Sequence, residues 1–245
     1  VTLKIERADA REWQEEQLAE LFSEGFPAFI TADRVVKRYI GRVREYFAEF
    51  ELMLVDERDL PVAAGWGVPL RWDGTVDGLP GGYTDALVRA VEGREQGLEP
   101  DTLVICGAVV HPSLRGRGLA GETLMALRRT AREAGLGKVV APVRPTSKEQ
   151  FPLMPIEDFM RWRRTDDTHV DPWIRTHERL GARLLAPAPE SQIMTGTVAE
   201  WKEWTGLDLP LTAEYVIPGG LSVLRLDKAA DHGVYREPNV WMRHA

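Results

Sequence analysis

The chain has 245 residues, a mass of 27.5 kDa and a formal net charge of -7, with 44% hydrophobic and 28% charged residues. This composition excludes disorder and a membrane class, and the acidic balance disfavours nucleic acid, whose phosphates need a basic face. The length allows a full hydrophobic core and is read as one domain over residues 1–245, carrying insertions.

The opening TLKIERA alternates as a strand does. From Arg11 to about Glu24, the residues Trp13, Leu18, Leu21 and Phe22 form a helical stripe that Gly25 and Pro27 end. Residues 33 to 49 give a second helix, with Val36, Tyr39, Ile40, Val43, Tyr46 and Phe47 on one apolar face. ELMLVDE and LPVAAGWGVPLRW read as a hairpin, DGTVDGLPGG as a loop and YTDALVRAVEGREQG as a short helix. TLVICGAVV is the strongest strand signal, and Gly107 inside it suggests a bulge or the close approach of another group. Ala120, Leu124, Leu127, Ala131 and Ala134 then build an amphipathic helix closed by Gly135, followed by the strand KVVAPV. Strand, helix and strand of this length predict a parallel pair. Further on, MPIEDFMRWRR and DPWIRTHERLG read as helices and ARLLAPA as a strand. Thr197 with Glu200 makes a capping box ahead of a helix that Gly206 stops. EYVIPGG, LSVLRLD and VWMRH are each compatible with a strand.

Cys106 is the sole cysteine, so no internal disulfide forms, and a reducing compartment is expected. No signal-peptide core opens the chain and no apolar run is long enough to span a bilayer, which predicts a cytoplasmic location without membrane contact. The five histidines lack metal-site spacing, so no metal is expected.

Between the strand and the helix lies LRGRGLAG, whose Gly116, Gly118 and Gly121 satisfy G-x-G-x-x-G. A dinucleotide fingerprint fits poorly. HPSLR separates Val110 from the first glycine, the unit sits mid-chain, and no acidic residue ends KVVAPVRP to read a ribose, where Arg144 would at best suit a phosphorylated one. The loop suits a different pyrophosphate. Unpaired N–H groups at a helix N-terminus supply donors, glycines admit the oxygens closely, and Arg115 and Arg117 add charge-assisted bonds.

Arg115-Gly116-Arg117-Gly118-Leu119-Ala120, preceded by VVHPS, resembles the Q/R-x-x-G-x-G/A motif of the GNAT superfamily of acyl-CoA-dependent N-acetyltransferases. ERLGAR and VWMRH also look like that superfamily's late helix end and closing strand. The resemblance covers residues 1 to about 185 and the last few, leaving 186–238 unexplained. It implies an α/β (α+β) GNAT fold: a mixed central sheet with splayed parallel strands at the CoA site, flanked by helices, with insertions at about 73–100 and 144–172 and a C-terminal extension. By the same resemblance, acetyl-CoA or another acyl-CoA is the cosubstrate. Val109, Val110, Arg115, Gly116, Arg117, Gly118, Leu119 and Ala120 would hold it, Val109 and Val110 by pairing with the pantetheine arm.

The implied reaction is acyl transfer, by direct attack in a ternary complex, to the amine of a small molecule or peptide. Other nucleophiles, decarboxylation of an acyl-CoA and a non-catalytic acyl-CoA-binding module stay open, as does a homodimer. Many members of the superfamily place a glutamate base near the position of Leu103, which cannot serve, so Glu99, Asp101 and Asp171 are the candidates. The usual tyrosine acid corresponds to His177, which becomes the candidate general acid, against the alternative of an exposed helix histidine. Cys106 as an acyl carrier is weighed against a buried strand residue. The insertions could wall an acceptor pocket with Trp162, Trp173, Glu157 or Asp158, while Trp201 and Trp204 read as packing anchors.

Overall fold

A computed structural model describes residues 3–23 and 25–245 of the protein, so the expected strand residue Thr2 and helix residue Glu24 lie outside the described residues. The strands are β1 (Lys4–Arg7), β2 (Glu51–Val55), β3 (Pro61–Leu70), β4 (Thr102–Val110), β5 (Lys138–Val143), β6 (Arg183–Gly196), β7 (Ala213–Val216), β8 (Val223–Asp227) and β9 (His232–His244). They form one sheet in the order β1-β2-β3-β4-β5-β9-β8-β7, with β6 paired to β9. Every pairing is antiparallel except β4 with β5, the pair the strand–helix–strand pattern predicts. The helices are α1 (Glu15–Phe22), α2 (Arg34–Tyr46), α3 (Tyr83–Glu95), α4 (Leu119–Glu133), the single turn α5 (Ile156–Phe159), α6 (Pro172–Arg179) and α7 (Val198–Thr205).

Local chemistry sets the helix ends. Asp33 accepts from the N–H groups of Val35 and Val36 at 2.9 and 3.0 Å and so starts α2, whose Tyr39 and Val43 enter the main core. Asp171 does the same for α6, with Pro172 in the first helical position. Thr197 and Glu200 form the expected capping box, and Gly206, left-handed at φ 69°, ends α7.

Three expectations shift. The helix read over MPIEDFMRWRR shrinks to α5, because Arg163 bridges back to His169 and the chain turns. α1 starts at Glu15 rather than Arg11, the Trp13 indole being engaged at 2.8 Å with the Ala8 carbonyl. ARLLAPA and VWMRH are the ends of much longer strands. β6 runs on to Gly196 and β9 begins at His232, the two pairing along most of their length.

The segment that the resemblance left unexplained completes the sheet. Its Met194, Trp201, Ile217, Leu224 and Tyr235 bury themselves around Phe29 from the α1–α2 connection. Trp201 is fully buried, with its ring 5.8 Å from that of Phe29, so it anchors packing as read. The extension therefore braces the loop that carries Phe26, Pro27 and Ile30.

Candidate active site

β4 and β5 pair only from Thr102/Lys138 to Val104/Val140. Beyond that they part, and the edge of β4 from Ile105 to Val110 loses its β5 neighbour while keeping β3 on the other side. Pro142, which has no N–H to offer a neighbour, lies in the parted stretch of β5. Backbone polar groups left without a strand partner need another one, and an extended amide-bearing ligand supplies it.

The divergence starts at a bulge. Trp66 opposes Gly107 and Gly67 opposes Ile105, so Cys106 has no opposite number on β3. The sequence reading of Gly107 as a point of close approach holds, but the approaching group is a side chain of the protein. A Cβ at Gly107 would stand 2.2 Å from the Trp66 indole. Phe22 and Phe26 lie against that indole, each with ring centroids 6.4 Å away.

The parted strands open into a cleft of about 980 Å³. Val109, Val110, Arg115, Ala120 and His177 all line it, so five of the sequence-selected residues converge. Gly116 and Gly118 are exposed and left-handed at φ 79° and 83°, and Gly118 is the N-cap of α4. No protein atom lies within 4 Å of where a Cβ would stand at either glycine. Their conformation thus leaves open space above the α4 N-terminus, where the first helical N–H groups have no intrahelical partners. Arg117 and Leu119 flank Gly118, but Arg117 is exposed and neither residue lines the cleft.

His177 is not an exposed helix histidine. It is 1% exposed, Trp173 packs edge-on at 4.4 Å between ring centroids, and its Nδ1 lies 3.0 Å from Nε2 of His244 on β9. Burial, and secondarily His244, push its pKa down to about 3, so the ring is neutral at neutral pH. This corrects the expectation of a histidine that carries a proton near pH 7. His177 can act only as a neutral ring, and its buried Nε2 has no hydrogen-bond partner among the described residues.

None of the proposed bases reaches the cleft. Asp171 spends both oxygens on the chain itself: Trp173 and Ile174 donate to Oδ1, and Ser147 donates N–H and hydroxyl to Oδ2 at 2.6 and 2.8 Å. Asp101 sits beyond the paired end of β4, 2.7 Å from Lys138 Nζ. Glu99 lines a separate cleft beside α3. Leu103 is fully buried. Cys106 does line the main cleft, but burial raises its thiol to about 12, which removes the thiolate an acyl carrier needs. Trp162 packs on Phe151 and Phe159 rather than on the cleft, and Glu157 and Asp158 are absent from it. Trp173 is the one member of that group present.

Sequence reading missed the opposite wall. β9 pairs with β5 as far as Val240 and with β8 from Tyr235, and between these pairings lie Glu237 and Asn239. Glu237 is fully buried, and burial raises its pKa while Arg144 opposes the rise. It accepts from Arg144 Nε and from the Tyr235 hydroxyl. Arg144 lines the cleft, as do Thr146, Glu149, Gln192 and Asn239. The Asn239 amide donates to the Pro142 carbonyl at 3.0 Å, while its Oδ1 is buried without a partner among the described residues. Tyr83 reaches the same cleft as the first residue of α3, so the 73–100 insertion contributes one side chain rather than a wall. Among the described residues, no group of three or more His, Cys, Asp or Glu side chains could hold a metal ion.

A splayed parallel pair, a bulge, and a glycine loop opening a helix at the mouth of the same cleft define an acyl-CoA-using transferase fold. The chain belongs to the GNAT acetyltransferase family, whose model, "Acetyltransferase (GNAT) family", matches residues 16–151. Arginine N-acetyltransferase avaD of Aspergillus versicolor is 30% identical over 247 residues, covering 89% of this chain and 84% of that protein. Among solved structures, the loading GNATL domain of CurA from Lyngbya majuscula superposes over 100% of this chain and 98% of its own, with a TM-score of 0.57 at 14% identity. The GphF GNAT-like decarboxylase in complex with isobutyryl-CoA does so over 100% and 99%, with a TM-score of 0.56 at 17% identity. Both share the fold, including the part that continues past the family-model match. No helix among the described residues is long and apolar enough to cross a membrane.

Proposed function

We propose that the protein transfers an acetyl group from acetyl-CoA directly to the amine of a small molecule, with residues 1–245 working as one unit. The observation that carries this reading is the convergence, on one cleft, of the unpaired Ile105–Val110 edge, the Arg115–Ala120 loop and the polar wall of Arg144, Glu149 and Asn239. The pantetheine amides take the free β4 edge, the diphosphate takes the N–H groups at the α4 start with Arg115 and Arg117, and the thioester reaches the bulge.

The acceptor wall suits an amine. Glu149 is the one carboxylate among the residues lining the cleft, and the buried Asn239 Oδ1 requires a donor that an amine N–H supplies. The similarity to an arginine N-acetyltransferase makes arginine the first acceptor to try. No side chain lining the cleft is assigned the role of general base. The amine therefore enters neutral or loses its proton to water, and turnover rises with pH through the amine's own pKa. Attack forms the C–N bond and breaks the C–S bond, and the proton the amine gives up ends on the CoA thiol. His177 meets the departing sulfur as a neutral hydrogen-bond donor. Much of the acceleration comes from holding amine and thioester side by side.

Release of free CoA thiol from acetyl-CoA with a panel of amines including arginine, followed by product mass, tests the assignment. A product heavier by one acetyl group is expected. Thiol release independent of amine, or loss of carbon dioxide from a carboxyacyl-CoA as the only reaction, would overturn it. His177→Ala is expected to lower kcat about 10- to 100-fold, the worth of one donor withdrawn from a buried developing charge. Near-wild-type turnover of that variant across about pH 6 to 9, a range bracketing the ordinary histidine pKa, would remove His177 from the mechanism.

A further inference from the structure

The last strand, β9, brings a second histidine against His177 from 67 residues away in sequence. His177 and His244 are 1% and 3% exposed, their rings are 5.1 Å apart between centroids, and a single N···N contact of 3.0 Å joins Nδ1 of His177 to Nε2 of His244. Two neutral imidazoles in that contact share one proton between those nitrogens, so the pair has two arrangements. If His177 donated from Nδ1, its Nε2 would be a bare lone pair on the cleft wall, and the second proton of the pair would sit on Nδ1 of His244. That atom is buried with no acceptor among the described residues. If His244 donates from Nε2, the buried Nδ1 of His244 carries a lone pair instead, and His177 carries its proton on Nε2.

The surroundings favour the second arrangement. Arg128 bonds to the Leu180 carbonyl at 2.9 Å and to the Ala245 carbonyl oxygen at 2.6 Å, and its positive charge acts on the His244 ring. Burial first and then this charge keep the His244 ring neutral. Each arrangement leaves one ring N–H without a partner among the described residues: in the first on Nδ1 of His244, which does not line the cleft, and in the second on Nε2 of His177, which does, so that a bound thioester can accept from it. The Trp173 ring packed edge-on against His177 limits rotation that would exchange its nitrogens.

We propose that His244 is a positioning residue: its Nε2–H donates to Nδ1 of His177 and so fixes His177 as the tautomer whose Nε2–H serves the thioester sulfur. The proposal rests on the role given to His177 above and supplies what that role lacks, a reason why a neutral ring should hold its proton on the required nitrogen.

The test is long-range proton–nitrogen correlation NMR on protein labelled with nitrogen-15 histidine, which reports which ring nitrogen is protonated. Wild-type His177 is expected to show protonated Nε2 and bare Nδ1 at neutral pH. His244→Phe, which keeps the ring and removes the donor, is expected to release His177 into a mixture of tautomers. It should also lower kcat about tenfold at unchanged KM for acetyl-CoA, the worth of one modest hydrogen bond. His244→Gln, whose side-chain amide can donate in the same place, should restore most of both. A protonated Nδ1 on wild-type His177 would overturn the proposal even if no variant folds, and so would an unchanged tautomer in folded His244→Phe. Turnover of His177→Ala reports separately on whether the ring matters for transfer, so the two readings fail by different measurements.

Discussion

Gly118→Val is expected to weaken binding of acetyl-CoA about 100-fold, or ~2.7 kcal/mol, while leaving the fold intact. Gly118 is held at φ 83°, a conformation in which a β-branched residue is strained, so the backbone would rotate away and re-aim the first N–H groups of α4. The side chain would also enter the space above the helix start. Apart from its chain neighbours, no atom of the described residues lies within 4 Å of the position its Cβ would take, so the added group points into open space. Its effect on folding stability should be that of one strained loop residue, about 1–2 kcal/mol. Calorimetric titration of folded variant with acetyl-CoA decides the matter. An affinity within about threefold of wild type, less than ~0.7 kcal/mol, would show that the diphosphate does not rest there.

Acid should unfold the protein earlier than its carboxylates alone would dictate. In the native state His177 is held down to about 3 and His244 to about 4, both by burial first, against an ordinary value of 6.5. Below 6.5 the unfolded chain takes up protons that the native rings refuse, so the unfolded state binds more protons and native stability falls as pH falls. Each ring contributes a slope of about 1.4 kcal/mol per pH unit between 6.5 and its native pKa. Glu237, raised by burial, opposes this in its own window by at most one proton. The expected net loss is therefore about 1–2 kcal/mol per pH unit between about pH 6 and pH 5, with a plateau above about pH 7. Urea midpoints measured across this range check it. A midpoint that does not move between pH 7 and pH 5 would mean that the two rings are solvated and not the dry pair described here.

What could be read from the chain beforehand follows from how local each cause is. LRGRGLAG was legible because left-handed glycines at a helix start are a matter of a few consecutive residues, and the structure places Gly116 and Gly118 in that conformation. The Thr197–Glu200 capping box was legible for the same reason. Gly107 announced a bulge correctly, yet not its cause, since Trp66 lies on another strand. Carboxylates could be counted in the sequence, but not those already engaged. Asp171 is consumed locally in capping α6 and, through its other oxygen, by Ser147, while Asp101 pairs with Lys138, and the Ser147 and Lys138 engagements depend on partners distant in sequence. His177 was found through the resemblance, whereas its neutral state depends on burial first and then on His244, neither of which a local pattern announces. Arg144, Glu149, Tyr83 and Asn239 line one cleft although they come from separate elements, with Asn239 placed where β9 changes neighbours from β5 to β8, a consequence of topology rather than of spacing.

That change of neighbours bears on how acceptor preference can diversify. A single strand carries both Asn239, proposed above to meet the amine, and His244, proposed to orient His177, so a shift of β9 in either direction would disturb both together. Pro27 and Ile30 also line the cleft but belong to the α1–α2 connection rather than to β9, and Ile30 packs on the separate hydrophobic cluster around Phe29. Retargeting toward a bulkier or more polar nucleophile is therefore least disruptive on that loop, and a library of variants at these positions should yield altered acceptors far more often than one built on the last strand.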